Sequence, residues 1–215
     1  MIIGLVGFAG SGKGSVAKIL ATDYNFTSVA FADPLKDAAA IIFDWPRNLL
    51  EGDTEPSRAF REVPDEFWSM HFNKKFTPRM ALQQLGTEAC RNVFHKDIWV
   101  LNLEKRIKNK TNVVVTDVRF PNELECIKRL GGKIVRIKRG PEPEWYSTAE
   151  KENNTHPDFI WMLYDRYETM DRKYPYIHIS EYAWIGNKNI DFVLENSGTL
   201  ENLQQEVKKL LTNMN

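Results

Sequence analysis

The residues most suited to chemistry lie close to the start of the chain, in Gly7-Phe8-Ala9-Gly10-Ser11-Gly12-Lys13-Gly14-Ser15. Glycine lets a backbone curl so that successive N–H groups point inward, which makes a nest for phosphate oxygens. Lys13 adds a mobile cation, and Ser11 and Ser15 add hydroxyls. The flanks supply the context that such a loop needs. Ile2-Ile3-Gly4-Leu5-Val6 reads as a short buried strand, and Ser15-Val16-Ala17-Lys18-Ile19-Leu20 opens an amphipathic helix. A helix N-terminus contributes free N–H groups and a positive dipole end. The bland alternative is a glycine-rich strand-to-helix turn that holds no ligand, and the strand, loop and helix order argues against it.

Other side chains could complete a phosphate chemistry. The residue after the Gly-Lys pair is commonly Ser or Thr, whose hydroxyl binds magnesium; here it is Gly14, and Ser15 follows one position later. Asp117 ends the apolar run Val113-Val114-Val115-Thr116, where an acid can hold magnesium or its waters. Arg119 points the same way if that strand persists and could clamp an acceptor phosphate; a surface ion pair is the other reading. Arg79, Gln83 and Gly86 fall at helical spacings along one face. There Arg could grip a phosphate, Gln could read a base edge and Gly could admit a sugar or ring, unless the first two merely cover a solvent face. Trp99 could stack on a base or belong to a core. Arg129, Lys133, Arg136, Lys138 and Arg139 form a basic cluster, some of which could neutralise phosphate. The four histidines show no metal-ligand spacing, and His178 sits in a polar stretch that could line a nucleotide site.

These residues require a scaffold, and the chain predicts one. Thr27–Phe31, Val113–Asp117, Lys133–Lys138 and Ile190–Leu194 read as further strands. Helices are expected over Asp33–Ile42, capped by Asp33 with Pro34 first in the helix, from Pro78 towards Arg91, over Asp97–Lys108, Pro121–Leu130 and Thr199–Leu211. Strands alternating with helices imply an α/β, three-layer fold with a parallel sheet between helices, whose ligands bind beyond the carboxyl ends of the strands. One domain is expected over 1–215. It carries an irregular substrate-binding insertion at about 45–78 and an aromatic-rich excursion at about 140–186, which is either a lid or locally packed surface chain.

The 215 residues suffice for one α/β domain with a sizeable core. Lys and Arg total 29, as do Asp and Glu, so no basic excess favours stable nucleic-acid binding. Two cysteines are too few for a disulfide scaffold, which suits a reducing cytoplasm. Ile2–Val6 is too short for a signal core or a membrane span.

Taken together, these segments resemble the deoxynucleoside monophosphate kinases of tailed bacteriophages, within the P-loop nucleoside monophosphate kinases. The likeness runs in matching order over most of the chain. It comprises Gly7–Ser15, Phe31–Ala38, Arg79 with Leu82–Glu88, Asp97–Val100, Thr116–Arg119, Gly131–Arg139, His178–Glu181 and Asn196–Glu201. The Leu-Gln-x-Leu-Gly-Thr stretch with the downstream Trp-Val is the most particular. The resemblance implies a P-loop kinase fold that holds ATP on Gly10, Ser11, Gly12, Lys13, Gly14 and Ser15, with Mg2+ at Ser15. It places a deoxynucleoside monophosphate (dNMP) against Asp33, Lys36, Arg79, Gln83, Gly86, Trp99 and Asp117. Lys13, Asp117, Arg119 and Arg79 would carry catalysis. The implied reaction yields deoxynucleoside diphosphates for phage DNA precursor synthesis in the host cytoplasm, and a homodimer is compatible with the likeness. One departure is Gly14, where relatives commonly carry an acid; Asp33 is a candidate replacement, although capping would explain it too. Alternatives are an adenylate- or dephospho-coenzyme A-type kinase, a kinase acting on modified bases in DNA, and a non-catalytic nucleotide-binding regulator.

Overall fold

The β-branched runs form the strands β1 (Ile2–Val6), β2 (Thr27–Val29), β3 (Val113–Val115), β4 (Lys133–Lys138) and β5 (Phe192–Glu195). In the computed structural model, which describes residues 1–155 and 168–214, they make one sheet in the order β2-β3-β1-β4-β5. All four pairings are parallel, with Gly4 opposite Val115 on one side and Ile134 on the other. Parallel neighbours need crossover connections, so helices flank the sheet as expected. This arrangement is the three-layer α/β fold with a parallel sheet between helices anticipated from the chain.

Alternation along β1 explains how the layers pack. Ile3 and Leu5 enter a core with Val16, Ile19 and Leu20 of α1 (Lys13–Tyr24) and Leu203, Val207 and Leu210 of the C-terminal helix (Leu200–Met214). Gly4 faces the other way, towards α7 (Pro121–Arg129), which covers β1. A Cβ on Gly4 would stand 2.9 Å from Ile134 Cδ1 and 3.3 Å from Ile127 Cγ1, so close packing there demands glycine. The start of α7 is secured by Glu123, buried at 3% exposure, whose carboxylate accepts from the N–H groups of Arg119 (2.8 Å) and Phe120 (3.1 Å).

The chain divides into two compact units, Met1–Ala30 with Ile107–Asn215 and Phe31–Arg106. The first holds the sheet. The second contains α2 (Asp33–Phe43), a 3-10 turn (Arg47–Leu50), α3 (Glu55–Glu62), α4 (Glu66–His71), α5 (Pro78–Gln83), a π-helix (Gln84–Arg91) and most of α6 (Ile98–Ile107). The stretch expected to be irregular is therefore largely helical. Its helices run six to eight residues, too short for periodicity to show, and each is capped: Thr54 accepts from Ser57 N, Asp65 from Trp68 N and Thr77 from Met80 N. Their aromatic residues form a local core of Trp45, Phe76, Leu50 and Leu82 with Phe43 and Trp68. Both indoles find acceptors, Trp45 at Asp65 Oδ2 (2.7 Å) and Trp68 at the Phe43 carbonyl (3.1 Å).

Several boundaries differ from expectation. β2 stops at Val29, and β3 ends at Val115, before Asp117. Arg119 therefore does not continue a strand. Asp33 is not a cap: Ala32 occupies that position without a side-chain bond, and Asp33 is the first helical residue. Within 140–186 the described chain forms α8 (Tyr146–Asn154), a one-turn helix (Met170–Lys173) and a 3-10 turn (Ile179–Glu181). His156 and Trp161 lie outside the described residues. Among those described, no helix is long and apolar enough to cross a membrane.

Candidate active site

β1 delivers the chain to the loop through Gly7, Gly10 and Gly12, which take φ values of 143°, 77° and 99°. L-residues rarely adopt such angles. Two of these glycines are also confined by neighbours. A Cβ on Gly7 would lie 2.4 Å from the Ile137 carbonyl oxygen, and one on Gly12 would lie 2.1 Å from Asn196 Nδ2. Gly10 and Gly14 face open space. Nothing steric therefore requires glycine at 14, and the acid that the resemblance leads one to expect there would have room.

The first turn of α1 is left open. Gly12 offers no side-chain cap, and no acid occupies the first turn, so its N–H groups and positive dipole end face an anion unopposed. Lys13 bends back over the loop, donating to the carbonyls of Gly7 (2.7 Å) and Phe8 (2.9 Å). Burial, and then the charge of Arg119, lower its pKa from 10.5 to about 8, against the attraction of Glu181 and Asp117. Lys13, Asp117, Arg119 and Glu181 thus share one electrostatic neighbourhood. Ser11 is buried at 4% exposure with a hydroxyl that has no partner. Ser15 is exposed on the first turn.

The loop is braced by aromatic side chains, Arg136 and Asn196, to none of which the sequence assigns a bracing role. Phe8 packs edge-on against Trp145 (centroids 5.3 Å) and at a tilt against Trp184 (5.2 Å). Arg136 lies over the rings of Tyr146 and Trp184 and grips Glu142 with two bonds of 2.6 and 2.7 Å. The expected phosphate-neutralising role does not suit Arg136, because its charge is already matched inside this aromatic buttress. Asn196, just beyond β5, donates to the Ser11 carbonyl (2.8 Å) and fixes the loop from the side of Gly12. Asn196 opens one of the segments that carry the resemblance, although nothing in the sequence assigns it a role.

In the second unit, Asp33 and Lys36 belong to a charge network. Asp33 pairs with Arg106 (2.9 Å) and Arg47 (3.8 Å), Lys36 pairs with Glu51 (2.6 Å), and Arg47 also binds Asp37 and Glu51. Burial disfavours both ions, but hydrogen bonds donated to Asp37 and Glu51 raise the Arg47 pKa, and those received from Lys36 and Arg47 lower that of Glu51. This pairing, rather than capping, accounts for Asp33.

Arg79, Gln83 and Gly86 do not share one environment, because the helix widens after Gln83. Arg79 is paired with Glu62 and Gln83 is exposed. Gly86 is buried, with Leu35 Cδ2 2.9 Å from where its Cβ would be. The absence of a side chain there lets Leu35 pack against the backbone. Trp99 is half-buried and donates its indole N–H to the Gly86 carbonyl (3.0 Å), satisfying an acceptor within the π-helix. A cleft of about 520 Å³ opens beside this helix, between Phe43 and Phe76 on one hand and Gln84, Leu85 and Glu88 on the other. Short π-helical segments recur at functional sites.

Comparison with known proteins bears on this arrangement. The deoxynucleotide monophosphate kinase family matches residues 48–156. A putative deoxynucleotide monophosphate kinase of Acanthamoeba polyphaga mimivirus is 29% identical over 99% of this chain and 97% of its own length. The deoxynucleoside-5'-monophosphate kinase of Escherichia phage T5 is 29% identical over 60% of this chain and 72% of its own. The deoxynucleotide monophosphate kinase of Escherichia phage RB69 is 26% identical, covering 74% of this chain and 52% of its own. On a match spanning half its length, the chain belongs to the deoxynucleotide monophosphate kinase family.

Proposed function

We propose that this protein transfers the γ-phosphate of ATP to a deoxynucleoside 5'-monophosphate, giving ADP and the deoxynucleoside diphosphate. The observation that carries the reading is the cradle at the start of α1: three left-handed glycines, an uncapped helix end and the buried ammonium of Lys13. Family membership supplies the acceptor class. In the reaction an acceptor phosphate oxygen attacks the γ-phosphorus as the bond to the β–γ bridging oxygen breaks. That oxygen is anionic near neutral pH, so no proton has to be removed. The work left to the protein is positioning and charge neutralisation.

Lys13 would leave the Gly7 and Phe8 carbonyls for the outer phosphates. The first N–H groups of α1 would take the phosphate oxygens between them, and the unpartnered Ser11 hydroxyl is a further donor. Arg119 would face the transferring group from beside Lys13. Ser15 and Asp117 would hold magnesium. Their donor set, one hydroxyl and one carboxylate, fits a cation that keeps water and phosphate oxygens among its ligands. Bound with the triphosphate, that ion supplies charge neutralisation at the outer phosphates. On the acceptor side, Lys36, Arg47 and Arg106 are the cations around Asp33, and Arg79 is a further one. The cleft beside the π-helix offers a base two aromatic walls with an amide and a carboxylate.

A coupled ADP assay with ATP and each deoxynucleoside monophosphate tests the proposal. Lys13→Ala should lose roughly 3 kcal/mol of transition-state stabilisation, a hundredfold or more in rate. Turnover near the wild-type level in that variant would refute it.

A further inference from the structure

Asp117 and Arg119 are followed, some sixty residues later, by a segment that the reaction above leaves unused, His178-Ile179-Ser180-Glu181. The fold returns this segment to Arg119. Arg119 Nη1 donates to Glu181 Oε1 at 2.9 Å and to Ser180 Oγ at 3.2 Å. His178 Nδ1 accepts from the Ser180 backbone N–H at 3.2 Å and lies 2.8 Å from Ser180 Oγ, which ties the hydroxyl to the same turn.

The grip is itself anchored to the phosphate loop. The Glu181 carbonyl accepts from Trp184 Nε1 at 3.0 Å, and Trp184, only 2% exposed, packs on Phe8. An unbroken chain of contacts therefore runs from the loop through Phe8, Trp184 and Glu181 to Arg119. Such a chain has a use, because Arg119 repels Lys13. With its side chain 46% exposed, Arg119 would otherwise relieve that repulsion by swinging into water. Glu181 attracts both cations, and Asp117 adds a second negative charge towards Lys13. A guanidinium carries five N–H donors, so the bonds to Glu181 and Ser180 leave others for a phosphate.

We propose that Glu181 is a positioning residue that holds the Arg119 guanidinium beside Lys13, so that two cations meet the transferring phosphate. The proposal rests on the kinase reading above, but it has a readout that needs no acceptor. Glu181→Gln keeps the shape and removes the charge. In dNMP phosphorylation it should lower kcat about tenfold while KM for ATP changes less than about threefold, because the interaction matters most as charge develops. Arg119→Ala should lower kcat at least as far, and the double variant should fall no further than Arg119→Ala alone. Thermal midpoints should match the wild type, and Glu181→Asp should recover part of the rate. Independently, Glu181→Gln should weaken binding of ADP with aluminium fluoride and magnesium about tenfold while leaving ADP alone within about threefold.

Additive losses in the double variant, or a wild-type kcat with tighter ATP binding in Glu181→Gln, would overturn the proposal and leave the kinase reading standing. If the wild type phosphorylates no deoxynucleoside monophosphate, the kinase reading falls. Loss of aluminium fluoride binding in Glu181→Gln would then still support the positioning role, and unchanged binding would remove it as well.

Discussion

Lys13 can be tested without any substrate, through its proton. Burial first, then the Arg119 charge, bring its pKa down to about 8 in the folded chain, whereas unfolding restores 10.5. Between those values the unfolded chain binds more protons than the folded one. Stability must therefore rise with pH across that window: the folded protein sheds the Lys13 proton near 8, while the unfolded chain keeps it until about 10.5. The whole excursion is worth roughly 3 kcal/mol, a large share of a domain's net stability. Lys13→Met removes this term and leaves the others. The stability of the wild type relative to Lys13→Met should then grow by roughly 2–3 kcal/mol from about pH 7 to about pH 10. Urea unfolding followed by tryptophan fluorescence at several pH values measures it. Magnesium-ATP should flatten the wild-type trend, because phosphate oxygens favour the charged ammonium. Parallel curves for the two proteins without nucleotide would refute the idea that burial and Arg119 disfavour the Lys13 charge.

Three further outcomes follow from the same geometry. Gly12→Ala puts a Cβ 2.1 Å from Asn196 Nδ2 at a φ of 99°, so ATP binding should weaken at least tenfold by calorimetry, and Asn196→Gly should not restore it because the backbone strain remains. Phe8→Ala strips the ring from Trp145 and Trp184 and should cost about 1–3 kcal/mol in urea unfolding while raising KM for ATP. Arg47→Ala leaves Asp33, Asp37 and Glu51 with fewer cations, which should cost about 1–2 kcal/mol at neutral pH. Glu51 is held below its usual carboxylate range, so its contribution is present above about pH 4.5 and disappears as the pH falls through its folded value. Arg47→Ala should therefore differ least from wild type in acid.

Much of the first unit was legible because its signals are local. Val113–Val115 and Lys133–Lys138 are β-branched runs with clear ends, and the Gly7–Ser15 pattern has few uses other than a phosphate nest. The second unit was less legible for physical reasons. Helices of six to eight residues bury three positions at most, so capping by Thr54, Asp65 and Thr77 carries more information there than periodicity. The widened turn after Gln83 breaks the helical spacing that had aligned Arg79, Gln83 and Gly86, and only tertiary contacts with Leu35 and Trp99 reveal it. Charge runs misled in the same way. Arg136 reads as one member of a basic cluster, yet its surroundings, Glu142, Tyr146 and Trp184, come from later in the chain. The clasp of Glu181 on Arg119 joins residues 62 positions apart, which no local pattern encodes.

If the cradle of α1 presents a triphosphate to a mononucleotide, phosphorus NMR of a single reaction mixture registers the transfer itself. With magnesium-ATP and a deoxynucleoside monophosphate, the spectrum should show ADP and the deoxynucleoside diphosphate appearing in equal amounts, with no inorganic phosphate. ATP that stays intact with every common deoxynucleoside monophosphate, or that yields ADP and inorganic phosphate alone, would contradict the account.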